Sequence, residues 1–459
     1  MSFKKILLMS AVAGVIATAA QPGFAQSFTD ALAAAYNNNP TLLASRAALR
    51  ATDENVPQAL SGWRPTVNLT GEVARLRQDY DPSTASTPSD TITPKTLSLS
   101  VAQPLYRGGR TVAATDTAEA LVLAGRQDLA GTEDSVLLDA ATAYVDVIQA
   151  QAVLDLNRNN EEVLRRQLEA TRERFRVGEI TRTDVAQAES RHSRATADRI
   201  SAEGALITVQ ATLARIVGEM PRGRLELPPP LPPLPASEEE ALAIAYEENP
   251  DLAGARFREA AARHDVRVTS GALLPTVSLN GSLSRADETT RADFETDSAR
   301  IGLQVSVPLY EAGSVYSQTR QKKQIYNQRR IQVEEQRRAV RQLVVQAWEN
   351  LNTARSNIEA RRAQVEASRV ALEGVQQEAE VGSRTTLDVL DQEQEYLDAR
   401  VAEVQARRSE YVAAFTLLSS VGRFNARTLG LPVEAYDPVA NYDRVRSKWF
   451  GTDGGLTVE

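Results

Sequence analysis

Two eight-residue stretches carry the side chains best placed for chemistry. Val177-Gly178-Glu179-Ile180-Thr181-Arg182-Thr183-Asp184 and Val381-Gly382-Ser383-Arg384-Thr385-Thr386-Leu387-Asp388 follow one plan. Gly178 and Gly382 stand where a helix C-terminus takes a left-handed residue. Thr181 with Asp184, and Thr385 with Asp388, have the spacing of a capping box, with Asp in place of Glu. Acid in a first helical turn also complements the helix dipole. Capping alone accounts for these residues. Asp391 lies outside the capping pattern, which makes it the most suggestive acid of the set. The chemistry open to such groups is electrostatic: they can pair, repel each other or attract cations.

Other chemistries find little support. His192 and His264, the only histidines, are far apart in helical stretches and read as surface or seam residues rather than a metal pair. The chain has no cysteine, which excludes disulfides, thiolate catalysis, zinc-thiolate sites and a lipid-modified cysteine. No nucleophile elbow, phosphate loop or carboxylate–histidine cluster appears, so the sequence indicates neither an enzyme nor a cofactor. Lys and Arg number 52 against 60 Asp and Glu, a net charge of −8 with the signs mixed along the chain. That argues against a nucleic-acid partner, which needs a basic patch.

The elements holding these turns come in duplicate. Ala31-Leu32-Ala33-Ala34-Ala35-Tyr36 with Asn39-Pro40 returns as Ala241-Leu242-Ala243-Ile244-Ala245-Tyr246 with Asn249-Pro250. Pro65-Thr66-Val67 returns as Pro275-Thr276-Val277, and Pro104-Leu105-Tyr106 with Gly109 as Pro308-Leu309-Tyr310 with Gly313. A repeat this long is a duplicated half-structure, not a solenoid. Each half opens with an alanine-rich helix, about Thr29–Leu60 and Ser237–Leu273. Two strands follow in each half. Val67, Leu69, Gly71 and Val73 alternate with Thr66, Asn68, Thr70 and Glu72; Leu97, Leu99 and Val101 alternate with Thr96, Ser98 and Ser100. Val277, Leu279, Gly281 and Leu283, then Ile301, Leu303, Val305 and Val307, behave alike in the second half. One face is apolar and the other carries small polar groups. Such strands fit the edge of a soluble sandwich with a core face and a water face, but runs of about nine or ten residues with a consistently Ser, Thr, Asn and Gln face better suit tilted strands crossing a bilayer with a watery lumen. Four strands are too few to close a barrel, so several chains must share one. Polar loops are expected at Asp79–Lys95 and Asp287–Ser298.

Two long helical stretches complete each half: Gly109–Arg176 with Asp184–Val217, and Gly313–Glu380 with Asp388–Val421. At 1.5 Å per residue the longer arms reach roughly 100 Å, which fits a coiled coil. Leu387, Leu390, Gln394, Leu397, Val401, Val404, Arg408, Tyr411, Phe415 and Leu418 form a heptad seam. The equivalent positions of the first half are small, including Ala186, Ser190, Ala197, Gly204 and Ala211, and permit close approach of a neighbouring helix. The organisation is then residues 1–25 a signal peptide, 26–227 a first repeat, 228–236 a proline-rich strap, 237–422 a second repeat and 423–459 a tail. Lys4 and Lys5, the apolar run Ile6–Ala20 and the small-x-small site Gly23-Phe24-Ala25 support the signal peptide. No later segment is expected to reach the roughly 20 apolar residues of a membrane helix.

The ordered set of Asn39-Pro40 with Asn249-Pro250, Pro104-Leu105-Tyr106-x-Gly108-Gly109 with Pro308-Leu309-Tyr310-x-Ala312-Gly313, and two Val-Gly turns resembles the TolC family of outer-membrane export ducts. The resemblance covers essentially the whole chain after residue 25. It implies an α+β membrane protein in the cell outer membrane: a homotrimer sharing a twelve-stranded barrel in outer-membrane lipid, above a long coiled-coil tunnel in the periplasm. It implies docking of a periplasmic adaptor and an inner-membrane transporter of ABC or RND type, with Gly178 and Gly382 marking the docking turns. It places Thr183, Asp184, Arg384, Asp388 and Asp391 at the periplasmic entrance, where the acids line the opening and the arginine helps hold it shut. A tyrosine common in that latch matches Ala379 here. The expected function is export, by type I protein secretion or by small-molecule efflux. A periplasmic coiled-coil adaptor or structural protein is the reading from another class, and two hairpins with paired strands count against it.

Overall fold

The computed structural model describes residues 27–78, 90–221, 223–230, 233–289 and 293–452. The expected signal peptide and most of the first polar loop lie outside them. Each half begins not with one helix but with a broken one. In the first half, α1 (Phe28–Asn38) stops at Asn39, α2 (Pro40–Asp53) restarts at the proline, and α3 (Asn55–Leu60) follows. In the second, α6 (Glu238–Glu248) and α7 (Pro250–Ser270) break at the same motif. The cause is local. Pro40 and Pro250 lack the N–H a continuing helix would use, and they hold the preceding asparagine in extended backbone. Each asparagine then serves two ends at once. Asn39 Oδ1 accepts from the Thr41 amide at 2.9 Å, while its Nδ2 donates to the Ile216 carbonyl at 3.0 Å. Asn249 Oδ1 accepts from Leu252 at 3.2 Å, while its Nδ2 donates to Ser420 at 3.1 Å.

The strands form one antiparallel sheet in the order β1 (Thr66–Val73), β4 (Lys95–Arg107), β5 (Thr276–Asp287), β6 (Glu295–Ser306). A short hairpin of β2 (Leu76–Gln78) and β3 (Asp90–Ile92) stands beyond β1, where the sequence suggests only a loop. β5 and β6 run well past the apolar stretch, so the second loop shrinks to residues 288–294. Their extension is polar and paired: Arg285 Nη2 meets Glu295 Oε2 at 2.9 Å. The register confirms the two faces. Leu69 lies opposite Leu99, Leu99 opposite Leu283, and Leu279 opposite Leu303, all on one side. Asn68 lies opposite Ser100, Ser100 opposite Ser282, and Ser278 opposite Gln304 on the other. Among the described residues nothing covers the apolar side: Leu69 is 68% exposed and Leu303 is 63% exposed.

Two hairpins descend from the sheet: α4 (Arg110–Arg176) with α5 (Arg182–Val217), and α8 (Ser314–Glu380) with α9 (Thr386–Ser420). Each long arm has 67 residues. The heptad seam of α9 faces α4. Leu390, Leu397, Phe415 and Leu418 are buried along it. Its polar position Arg408 is matched by Asp146 of α4, Nε to Oδ1 2.7 Å. The small stripe of α5 behaves differently. Ala186, Ser190, Ala197, Gly204 and Ala211 are all exposed, whereas Ala188, Ala195 and Ala202 are buried. One correction concerns hydropathy. α4 and α5 each hold an 18-residue window of mean hydropathy 1.2 and 1.3, enough by length and composition for a membrane span. In α4 the cause is the alanine- and valine-rich run through Val136, Leu137, Ala140, Ala141 and Tyr144, which fills the main core.

That core gathers where α1, α4, α5 and α9 meet. Phe28 packs edge-on to Tyr144 at 5.3 Å and stacks on Phe415 at 5.5 Å. A second core joins Ala241, Leu252, Val344, Leu351 and Leu417. Residues 223–230 and 233–236 have no regular structure between the halves, and Leu234 packs against both cores. The segment leading into the strap is pinned by the Tyr144 hydroxyl, which donates to the Glu226 carbonyl at 2.9 Å.

Candidate functional site: the hairpin tips

Both tips are built the same way. At the first, the Gly178 amide donates to Phe175 at 3.0 Å and the Glu179 amide to Arg174 at 3.0 Å. At the second, Gly382 donates to Ala379 at 3.1 Å and Ser383 to Glu378 at 2.9 Å. This double bond is the Schellman closure of a helix end. It needs a left-handed residue, and Gly178 and Gly382 have φ of +78° and +79°. A Cβ on either would meet no atom within 4 Å, so both tips are open to a partner.

The returning helices begin with reciprocal caps. The Asp184 amide donates to Thr181 Oγ1 at 3.3 Å, and Asp184 Oδ2 accepts from the Thr181 amide at 2.9 Å. Asp388 and Thr385 repeat those distances. The backbone and hydroxyl bonds from Thr385 hold the Asp388 carboxyl below its usual range, with Arg384 adding to the effect. Asp184 and Asp388 are thus committed first to their own helices.

The remaining site residues divide. Arg384 Nε reaches Glu378 Oε2 of its own hairpin at 2.8 Å, and this bond raises the arginine further. Thr183 is exposed. Asp391 is not a free acid: it is ion-paired with Arg191 of α5. This pair joins the two hairpins just above the tips, over a small apolar contact of Leu164, Ala195 and Leu390. Sequence reasoning missed both Arg191 and Glu378. Glu378 precedes Arg384 by six residues across the turn, a distance that only the Schellman geometry closes. Arg191 is 200 residues from Asp391, and no spacing rule connects them. Two further braces stand at equivalent positions: Arg172 to Glu189 at 2.7 Å and Gln376 to Glu393 at 3.0 Å.

What the tips offer is a set of exposed, mostly paired charges on two rigid hairpins. His192 and His264 lie on different helices, α5 and α7, and among the described residues no group of three acids, histidines or cysteines is placed to hold a metal.

The model of the outer membrane efflux protein family matches residues 31–219 and again 241–423. The chain belongs to the outer membrane efflux protein family. The double match follows the internal repeat, and the family is one of outer-membrane channels, not enzymes. Like its relatives, this outer membrane efflux protein resides in the cell outer membrane, with its long helices in the periplasm. It is 37% identical to the outer membrane efflux protein BepC of Brucella suis over 94% of this chain and 93% of that one. It is 28% identical to the outer membrane protein TolC of Vibrio cholerae, over 91% and 94%. Its fold superposes on the Campylobacter jejuni CmeC outer membrane channel with a TM-score of 0.77 at 15% identity, over 92% of this chain and 89% of that one. Membership sets aside the periplasmic adaptor reading.

Proposed function

We propose that three copies of this chain form the outer-membrane duct of a tripartite export machine. The observation that carries the reading is the sheet. Among the described residues it has four strands, two unpartnered edges in β1 and β6, and one uncovered apolar face opposite a face of Ser, Thr, Asn and Gln. Edges of this kind pair with other copies. Twelve strands would enclose a water-filled lumen, whereas about eight leave only enough room for side chains. The exposed stripe from Ala186 to Ala211 gives a neighbouring chain a face for close helix approach.

In this reading the open turns at Gly178 and Gly382 receive the periplasmic adaptor, and an inner-membrane transporter delivers cargo to the tunnel. Thr183, Asp184, Arg384, Asp388 and Asp391 line the entrance. The cargo is a secreted protein of the type I class. The Brucella suis relative is named an efflux protein, which favours small-molecule efflux as the second reading.

Gentle detergent extraction of outer membranes should yield a species of three times the 50.0 kDa chain. A soluble periplasmic monomer contradicts the reading. Docking is tested at the turns. A Cβ added at Gly178 or Gly382 meets no atom within 4 Å, and a side chain in this left-handed backbone costs about 1–2 kcal/mol, so with Gly178→Ala or Gly382→Ala the trimer should persist while export fails. Normal export with both glycines replaced would place docking elsewhere. Cargo is settled by deleting the gene and asking whether secreted protein or toxic small molecules accumulate in the cell.

A further inference from the structure

The C-terminal tail has no part in the duct as described, yet it is anchored with care. α10 (Ala440–Arg446) docks on the upper helices. Asn441 Nδ2 donates to Asp53 Oδ2 at 2.7 Å. Tyr442 packs on the Val56, Ala118 and Val122 cluster and its hydroxyl meets Glu119 Oε1 at 3.2 Å. Arg446 pairs with the same Glu119 at 3.0 Å.

The chain then turns to the foot of the sheet. Arg64, two residues before β1, donates through Nη1 to the Lys448 carbonyl at 2.8 Å. The Arg64 guanidinium also lies over the Trp449 ring, 4.9 Å from its centroid. Trp449 is nevertheless 58% exposed and Phe450 86% exposed, beside an exposed Trp63. The heptapeptide Arg444-Val445-Arg446-Ser447-Lys448-Trp449-Phe450 holds three cations, two aromatic rings and no acid. Arg64 and the strand-end Arg107 add further positive charge at the same level.

Two large rings fixed in exposed positions next to cations are the composition that settles at a bilayer boundary. The rings take the acyl–headgroup zone and the cations take lipid phosphates. The position agrees, because the sheet's uncovered apolar face begins directly above Arg64. We infer that residues 444–450 form a membrane-surface anchor. In it, Trp449 and Phe450 enter the headgroup boundary of the periplasmic leaflet, Arg444 and Lys448 face the phosphates of anionic phospholipid, and Arg446 holds the segment to Glu119. Arg64 is the positioning residue that clamps the anchor to the barrel. The inference rests on the proposed membrane-spanning barrel.

The test uses full-length protein in vesicles of phosphatidylethanolamine and phosphatidylglycerol, with bromine on the acyl chain near the headgroup. The sequence has three tryptophans, so the fluorescence difference between the natural chain and Trp449→Phe isolates Trp449. That difference should be blue-shifted and quenched about twofold by brominated lipid, as for a ring at the interface. Quenching by iodide without quenching by brominated lipid puts the ring in water and overturns the anchor. Quenching by neither means a neighbouring copy covers it, which also overturns the anchor. The trimer band in the same vesicles separates the two ideas. An intact trimer with an insensitive Trp449 leaves the barrel standing and removes the anchor, whereas loss of the trimer removes both. In Arg64→Ala the lipid quenching should fall while the trimer persists, and unchanged quenching would remove Arg64 as the clamp.

Discussion

Arg191 and Asp391 form an ion pair that fastens the first hairpin to the second near the tips of one chain. The Arg191 side chain is 27% exposed and that of Asp391 55% exposed, so water screens much of the attraction. A pair this exposed contributes at most about 1 kcal/mol to stability. The pair bridges the two hairpins, so its expected effect is on the spacing of the two turns rather than on stability.

Arg191→Ala should accordingly leave thermal unfolding within about 1 kcal/mol of the natural chain and raise the resting conductance in planar bilayers. Exchanging the two residues, Arg191→Asp with Asp391→Arg, should bring the conductance back down. A single mutant that unfolds the helices, or a swap that fails to restore closure, would show that the pair does not act on hairpin spacing.

Arg384 and its acids separate gating from capping. Arg384→Ser should raise resting conductance if this arginine helps to close the entrance. Glu378→Ala, which frees Arg384 from its partner in the same hairpin, should leave closure intact or tighten it. Removing Asp388 and Asp391 together should weaken cation preference and block by multivalent cations. The loss of the α9 cap should be small beside the change in conductance. The Asp388 carboxyl is depressed, so its share of stability is present above the unfolded carboxylate range, about pH 4, and is lost as pH falls through its lower folded value. If the double mutant melts the hairpin while Arg384→Ser conducts normally, these residues are caps and the gate lies elsewhere.

The sheet predicts a contrast between neighbours. Leu99→Arg and Leu279→Arg place a charge on the uncovered apolar face and should cost about 2–4 kcal/mol near the bilayer midplane. Ser98→Arg and Ser278→Arg, on the polar face, should cost far less. Urea unfolding in detergent or vesicles reads both. Equal costs would mean that Leu69, Leu99, Leu279 and Leu303 do not face lipid while Asn68, Ser98, Ser278 and Gln304 face water.

A pH effect should come from Asp134 in the main core, 7% exposed. Its Oδ2 accepts from Ser419 Oγ at 3.1 Å and the Phe424 backbone lies near enough to favour the charged form, while Oδ1 meets no well-formed hydrogen bond among the described residues. Burial pushes this carboxyl up to about 8, against an ordinary value near 3.8. The folded chain therefore keeps a proton that the unfolded chain releases. Its contribution to stability is full below about pH 4 and declines as pH rises toward the folded value. Circular-dichroism melts should show the natural chain weakening from pH 5 to pH 8 and Asp134→Asn weakening less across that window. Parallel profiles would mean the carboxyl is ionised in the fold.

Much of this arrangement was legible because the rules involved are local or periodic. The alternation of Leu69 and Leu99 with Asn68 and Ser98 fixed the faces, and Gly178 and Gly382 with Thr181, Thr385, Asp184 and Asp388 fixed the tips. The breaks at Asn39 and Asn249 were hidden by alanine-rich stretches that read as continuous helix, although each proline marked its place. The apolar run in α4 was underestimated because its few charges are widely spaced. Arg191, Glu378 and Arg64 act on partners brought near only by tertiary packing, and no pattern in one sequence announces that.

The pairing of β4 with β5 also has a temporal consequence. Leu99 lies opposite Leu283, yet 184 residues of chain separate them, including the whole first hairpin and the strap. Contacts so distant along the chain close slowly, because loop entropy is lost before they reward it. The first half can wind its helices and pair β1 with β4 as soon as it emerges, but the other edge of β4 must wait for β5 of the second half. The four-stranded sheet is therefore expected to be completed last, and until β5 arrives the β4 edge is the part of the chain most open to wrong pairing.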